Sequence, residues 1–135
     1  MKTMMYQFRI TTHQKDEMLD ITDKIHECIK QSGIEDGQCF VFVPHTTAAV
    51  TVNENTDPDV KRDMLYELNR IVPHEDGYMH VEGNSAAHIK ASMFGNSEQF
   101  ILSEGRLILG RWQSVYFCEF DGPRQRSFYV KIQKD

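Results

Sequence analysis

The stretch Gln38–Glu54, "QCFVFVPHTTAAVTVNE", decides how the rest of the chain is read. Its first part, "QCFVFVP", is a nearly continuous apolar run of strand length, which predicts a strand buried on both faces. Its last part, "AAVTVNE", alternates from Ala48 and predicts a second strand. The link "PHTT" is too short for a helix. It sets His45 at the end of a buried strand, where a rigid scaffold would hold it.

Upstream, "MYQFRITT" alternates among β-formers and predicts a strand. "DITDKIHECIKQSG" predicts a helix with Asp20 as cap, Ile21, Ile25, Cys28 and Ile29 as its apolar stripe, and Gly33 as its stop. His26 falls beside that stripe and is expected half-exposed. Downstream, "NTDPDVKRDMLYELNRIVP" predicts the clearest helix. Asp57 caps it, Pro58 occupies its first turn, and Val60, Met64, Leu68 and Ile71 form its buried stripe. "NSAAHIKASMFG" predicts a third, shorter helix, capped by Asn84 or Ser85 and stopped at Gly95. "QFILSEGRLILG" reads as a hairpin turning at Glu104-Gly105. "WQSVYFCEF" and "RSFYVKI" read as two more strands joined by the "DGPRQ" turn. Helices cluster early and strands dominate the end. The fold class is therefore α+β: one domain over residues 1–135, a sandwich of mostly antiparallel sheet with about three helices packed on it.

The 135 residues suit one core, and the composition, 40% hydrophobic and 26% charged, is that of a globular chain. No apolar run approaches the ~20 residues of a membrane span. The start lacks the apolar segment of a signal peptide, so a cytoplasmic location is expected. Cys28, Cys39 and Cys118 are an odd number with no CxxC pair. They are expected as buried free thiols rather than disulfide partners. A net charge of -5 argues against general nucleic-acid binding. The end "DGPRQRSFYVKIQKD" is locally basic, with Arg124, Arg126, Lys131 and Lys134. As a group these would serve a small anionic ligand, whereas solvated surface charge is the preferred reading of any single one.

Three clusters carry candidate chemistry. In "HVEGNSAAHIKAS", His80–Ser92, the second histidine projects from a short helix and shares a face with Ser85 and Ser92. The span back to His80 can aim both imidazoles at one point, and His45 is the natural third member. Imidazole suits zinc, nickel, copper and iron, and three protein ligands with an open position mark a catalytic metal geometry. Glu119 would ligate or orient a histidine ring. The spacing His-x7-His is not by itself a metal motif, and a loop running into a surface helix explains it as well. In "HTTAAVTVNENTDPD", Thr46, Thr47, Asn53 and Glu54 are candidate ligand contacts, whereas Asp57 is explained by capping. In "GRWQSVYFCEFDGPR", Arg111 and Arg124 are suited to phosphate or carboxylate, because a guanidinium binds bidentately. Trp112 would stack on a ring or serve a core or interface.

The runs "HTTAAVTVNENTDPDVKRDM", "EGNSAAHIKASMFG" and "GRLILGRWQSVYFCEFDGPR", in this order and at these separations, resemble the YjbQ family of small bacterial and archaeal proteins, also called uncharacterised protein family 0047. The resemblance covers nearly the whole chain. It implies an α+β sandwich, a homotrimer, and a secondary thiamine-phosphate synthase activity. That reaction joins a pyrimidine pyrophosphate to a thiazole phosphate and releases pyrophosphate. The family's motif residues match His45, Asn53, Glu54, Asn55, Asp57, Pro58, His80, His88, Lys90, Ser92, Gly110, Trp112, Gln113 and Glu119. The loop between the two histidines is shorter here than in many members. It holds Glu82, Gly83 and Asn84 where adjacent acids stand in others.

The expectations follow. His45, His88 and Glu119 are catalytic. His45, His80 and His88 hold a divalent metal, zinc or magnesium being the candidates. Thr46, Thr47, Asn53, Glu54, Lys90, Ser92, Arg111 and Arg124 meet a small phosphorylated metabolite. Neither nucleic acid nor a membrane is a partner. The alternatives are a trimer that binds metal or metabolite without turnover, and a trimer whose polar loops only build its interface.

Overall fold

The computed structural model describes residues 2–135; Met1 lies outside them. In chain order the elements are β1 (Thr3–Thr11), β2 (Glu17–Asp20), α1 (Thr22–Ser32), β3 (Gly37–Phe42), β4 (Ala48–Glu54), α2 (Pro58–Ile71), α3 (Ser85–Phe94), β5 (Ser97–Ser103), β6 (Arg106–Leu107), β7 (Gln113–Glu119) and β8 (Gln125–Lys134). A five-stranded sheet has the order β1-β8-β3-β5-β6, and a three-stranded sheet the order β2-β7-β4. Every pairing among them is antiparallel. The short strand β2, which its sequence does not announce, completes the smaller sheet by pairing Glu17–Asp20 with Tyr116–Glu119.

The two sheets face each other over one apolar core. Cys39, Val41, Phe128, Val130 and Ile132 come from the large sheet, Ala48, Val50, Val115 and Phe117 from the small one, Ile25, Cys28 and Ile29 from α1, and Ile21 from just before it. A second apolar cluster covers the outer face of the small sheet. There Ala49, Tyr116 and Cys118 meet Leu68 of α2 and Ala87 and Ala91 of α3. Strand β7 is therefore buried on both faces along nearly its whole length, and β4 over its first three residues.

That corrects the reading of "QCFVFVP". Cys39 and Val41 are fully buried, but Phe40 and Phe42 lie on the outer face of the large sheet, 42% and 38% exposed. The run is apolar on both sides although only one side meets the core. The stripe of α2 also needs correction: Leu68 is buried and Met64 half-buried, but Ile71 is 55% exposed, and Leu65 packs in its stead. Ile71 falls in the last turn of the helix.

Other local readings hold. Asp57 accepts from the Asp59 backbone N–H at 2.9 Å, with Pro58 in the first turn of α2. Gly33 ends α1 in the left-handed conformation, which a residue without Cβ adopts at no steric cost. Glu104 and Gly105 both have positive φ, the two-residue turn that matches strand twist. The start of α1 differs from the reading: Ile21 stands at the N-cap position with no side-chain cap, and Asp20, one residue earlier, accepts from the Thr22 N–H at 2.9 Å. The three cysteines are free and buried.

Two connections position the site. "PHTT" carries the chain from β3 in the large sheet to β4 in the small one, and "DGPR" carries it from β7 back to β8. Ala48 pairs with Glu119 and Phe42 with Tyr129, so the end of β3 and the start of β4 lie beside the end of β7 and the start of β8, and both links cross at the same end of the sandwich. Gly122 is required there: a Cβ would lie 2.2 Å from the Gln14 carbonyl oxygen and 2.8 Å from Cγ of Glu119.

Candidate functional site

The two crossing links and the start of α3 enclose a cleft with two lobes. One, of about 510 Å³, is walled by Ala48, Ala91, Ser92, Gly95 and Asn96. The other, of about 420 Å³, is walled by Thr47, His80, Glu82, Asn84, Arg124 and Arg126. His45, Thr46 and His88 line both and so sit where the lobes join. A larger hollow of about 700 Å³, between α1 and the β5–β6 hairpin, contains none of the expected site residues.

Small residues create the space. Ala87 and Ala91 let α3 lie close on β4, and His88 then projects past them into the cleft. The His80 and His88 rings stand edge to face with centroids 5.5 Å apart. His45 is fixed differently. Its Nε2 accepts a hydrogen bond from the Ser127 backbone N–H at 3.0 Å. Burial and the neighbouring Arg126 cation both lower its pKa, which keeps the ring neutral.

Beneath the cleft lies a buried ion pair. Glu119 is 0% exposed and Arg126 is 7% exposed. Arg126 donates to Glu119 through Nε at 2.8 Å and through Nη2. The same Nη2 donates to the Thr47 hydroxyl at 2.8 Å. Glu119 also accepts from the Thr12 hydroxyl at 2.8 Å and from the Asp121 N–H at 3.0 Å. Burial pushes the Glu119 carboxyl up, but these hydrogen bonds outweigh it and hold it below the usual range. At the rim, Arg124 donates to Asp121 at 2.7 Å, and the Asn84 amide donates to the same oxygen at 2.9 Å.

The expected residues thus separate. His45, Thr46, His80, His88, Ser92 and Arg124 line the cleft. Glu119 is placed behind it with all its hydrogen bonds used, so it neither ligates nor abstracts a proton there. Thr47 braces Arg126 with its hydroxyl. Lys90 turns away: it is fully buried, bonded to Asn69, and 3.5 Å from Asp16, which also meets His74 at 3.4 Å. Two residues beyond His88 on a helix, its side chain leaves from another face. Asn53, Glu54 and Arg111 lie at the opposite end of the small sheet. The seven-residue strand β4 spans the distance from Ala48 to that end, roughly 20 Å at ~3.3 Å per residue step. There the Asn55 amide donates to Asp20 at 2.8 Å, the Tyr116 hydroxyl donates to the Glu54 carbonyl at 3.0 Å, and Arg111 lies over Trp112.

Arg126 stands in the sequence only as one of several basic residues near the end of the chain, and its buried place in the site is new. A signal existed: in "RSFYVKI" it shares the inward register with Phe128, Val130 and Ile132. A charge on the buried face of an alternating strand requires a buried partner. The three-histidine metal centre does not assemble. Among the described residues, no three histidine, cysteine or carboxylate side chains converge to hold an ion. The Nε2 of His45 is already committed to Ser127.

A family model described as "UPF0047 protein YjbQ-like" matches residues 6–135. The chain belongs to that family. It is 46% identical to UPF0047 protein MJ1081 of Methanocaldococcus jannaschii, over 98% of this chain and 96% of that one. It is 48% identical to UPF0047 protein YugU of Bacillus subtilis, over 96% and 98%. A solved YjbQ/UPF0047-family structure from Clostridium acetobutylicum superposes with a TM-score of 0.93 at 50% identity, covering 95% of this chain and 99% of that one. A YbjQ-like protein of unknown function from Sulfolobus solfataricus superposes with a TM-score of 0.95 at 31% identity, over 99% of each chain. The α+β sandwich expected from the sequence is the fold these relatives share.

Proposed function

We propose that the cleft binds a small phosphorylated metabolite and that the protein acts as a thiamine-phosphate synthase-type transferase. In that reaction the thiazole ring nitrogen attacks the methylene carbon of the pyrimidine pyrophosphate. The new C–N bond takes the nitrogen lone pair, the C–O bond breaks, and pyrophosphate leaves with its electrons. Such a displacement needs charge stabilisation on the leaving group more than it needs a base. One observation carries the reading. In a chain of net charge -5, the two crossing links, the start of β8, and α3 with the segment before it bring Arg124, Arg126 and three histidines to one cleft, with the carboxylates Glu119 and Asp121 behind the guanidiniums.

The divalent-cation expectation narrows to His80 and His88, and no step of the reaction is routed through a metal. A homotrimer would account for the separation of Asn53, Glu54 and Arg111 from the cleft, because the far end of one subunit's small sheet would face its neighbour. The commitment of Glu119 to Arg126 favours a second reading, in which the cleft binds its metabolite without turnover. A coupled assay for pyrophosphate release from the two thiamine precursors separates the two. Turnover lost in His88→Ala supports the transferase. Thermal stabilisation by the precursors with no pyrophosphate released supports the binder and ends the transferase reading.

A further inference from the structure

We infer that His45 is held as the Nδ1–H tautomer and, with the free edge of Arg126, forms an oxyanion-binding corner of the cleft rather than part of a metal centre. This deepens the phosphorylated-metabolite reading and rests on it for the identity of the ligand. A backbone N–H can only donate, so the Ser127 contact at 3.0 Å requires a lone pair on Nε2 of His45. A neutral imidazole with an unprotonated Nε2 carries its proton on Nδ1. That ring donates through Nδ1. To ligate a metal through Nε2 it would have to abandon Ser127 and leave that N–H unpaired. To ligate through Nδ1 it would have to give up that proton, either becoming an anion or moving it to Nε2, which again breaks the Ser127 bond.

Arg126 is arranged in the same sense. Its Nε and Nη2 are taken by Glu119 and Thr47, which locks the guanidinium plane. Nη1 is the nitrogen with no hydrogen-bond partner among the described residues, and Arg126 lines the cleft beside His45. Arg124 repeats the pattern at the rim, with Nε and Nη2 held by Asp121. The two carboxylates thus fix the cations from behind, and His45, Arg124 and Arg126 present donors to a ligand, with the Glu82 carboxylate also on the wall of that lobe. Donors fixed before the ligand arrives are what a tetrahedral oxyanion needs, since little reorganisation accompanies its binding. The ligand class is a phosphate or pyrophosphate group, whether free or carried on a metabolite.

Inorganic pyrophosphate, titrated calorimetrically in the presence of a chelator, is the probe. His45→Gln places an amide oxygen near the Nε2 position, so Ser127 keeps its acceptor, but it removes the Nδ1 donor. His45→Asn keeps a donor near the Nδ1 position. Loss of one hydrogen bond to an anion predicts about tenfold weaker pyrophosphate binding in His45→Gln, and a smaller loss in His45→Asn. In long-range 1H–15N spectra of the wild-type protein, His45 should show a protonated Nδ1 and an unprotonated Nε2. A proton on Nε2, absence of pyrophosphate binding by the wild type, or loss in His45→Gln of zinc that the wild type retains would each overturn the inference. Pyrophosphate binding with the expected pattern, but no pyrophosphate release from the thiamine precursors, would sink the transferase reading and leave this one standing.

Discussion

Replacing Glu119 by glutamine tests the buried foundation of the cleft. Glu119 is fully buried and accepts from Arg126, Thr12 and the Asp121 N–H. The amide keeps the shape but removes the negative charge, and its NH2 group would confront donors. Arg126 would then be a buried cation with no counter-charge. Breaking a buried pair from one side costs about 3–5 kcal/mol, most of it the penalty of the charge left behind. For a domain of this size that is a fall in Tm of roughly 10–15 °C. Thermal and urea melts followed by circular dichroism measure it, and an unchanged urea dependence would locate the effect in the native state. Replacing both partners, as Glu119→Leu with Arg126→Met, should recover most of the loss, because two apolar side chains leave no charge to desolvate. A Glu119→Gln protein melting within about 3 °C of wild type, or a double variant no better than the single, would refute this account. The acid limb of the stability profile is a second readout. Burial raises the carboxyl pKa values of Glu119 and Asp121, but their hydrogen bonds, from Arg126 and Asn84 foremost, hold both below their usual values. A depressed folded pKa means that the contribution is full above the unfolded carboxylate pKa of about 4 and is lost as the pH falls through the folded value. The wild type should therefore lose stability below that pH, and the double variant should lose less.

Three further outcomes are expected. Leu68→Ala should cost about 2–4 kcal/mol in urea melts, and Ile71→Ala less than about 0.5, because only Leu68 is buried against the small sheet; comparable costs would mean that α2 is rotated. Lys90→Met should change pyrophosphate affinity less than about twofold, since its ammonium faces Asn69 and Asp16 rather than the cleft; a tenfold loss would return Lys90 to the site. Burial pushes the Cys28 and Cys39 thiols to about 11 and about 12 and raises Cys118 as well. A thiol reagent at pH 8 should therefore label none of the three until the protein is unfolded, and stoichiometric labelling of the native protein would contradict that burial.

What the chain determines locally is legible in its letters. The cap at Asp57, the left-handed stop at Gly33, the Glu104-Gly105 turn and the burial of the cysteines depend on neighbours a few residues away, and each is where the residue types place it. His45, His80 and His88 were likewise marked as one group, because histidines and hydroxyls beside short links are not core chemistry. What the tertiary structure decided is everything that depends on which surface covers a face and which ends of the sheets coincide. "QCFVFVP" is equally apolar on both sides, so only the absence of a layer outside the large sheet exposes Phe40 and Phe42. Lys90 and His88 are two residues apart, yet the helix rotation between them sends one to Asn69 and Asp16 and the other to the cleft. Asn53 and His45 are eight residues apart, and an extended strand carries them to opposite ends of the sandwich. Arg126 and Glu119 meet because two links cross at one end, and that crossing, through a backbone N–H of Ser127, also chooses which nitrogen of His45 can face a ligand.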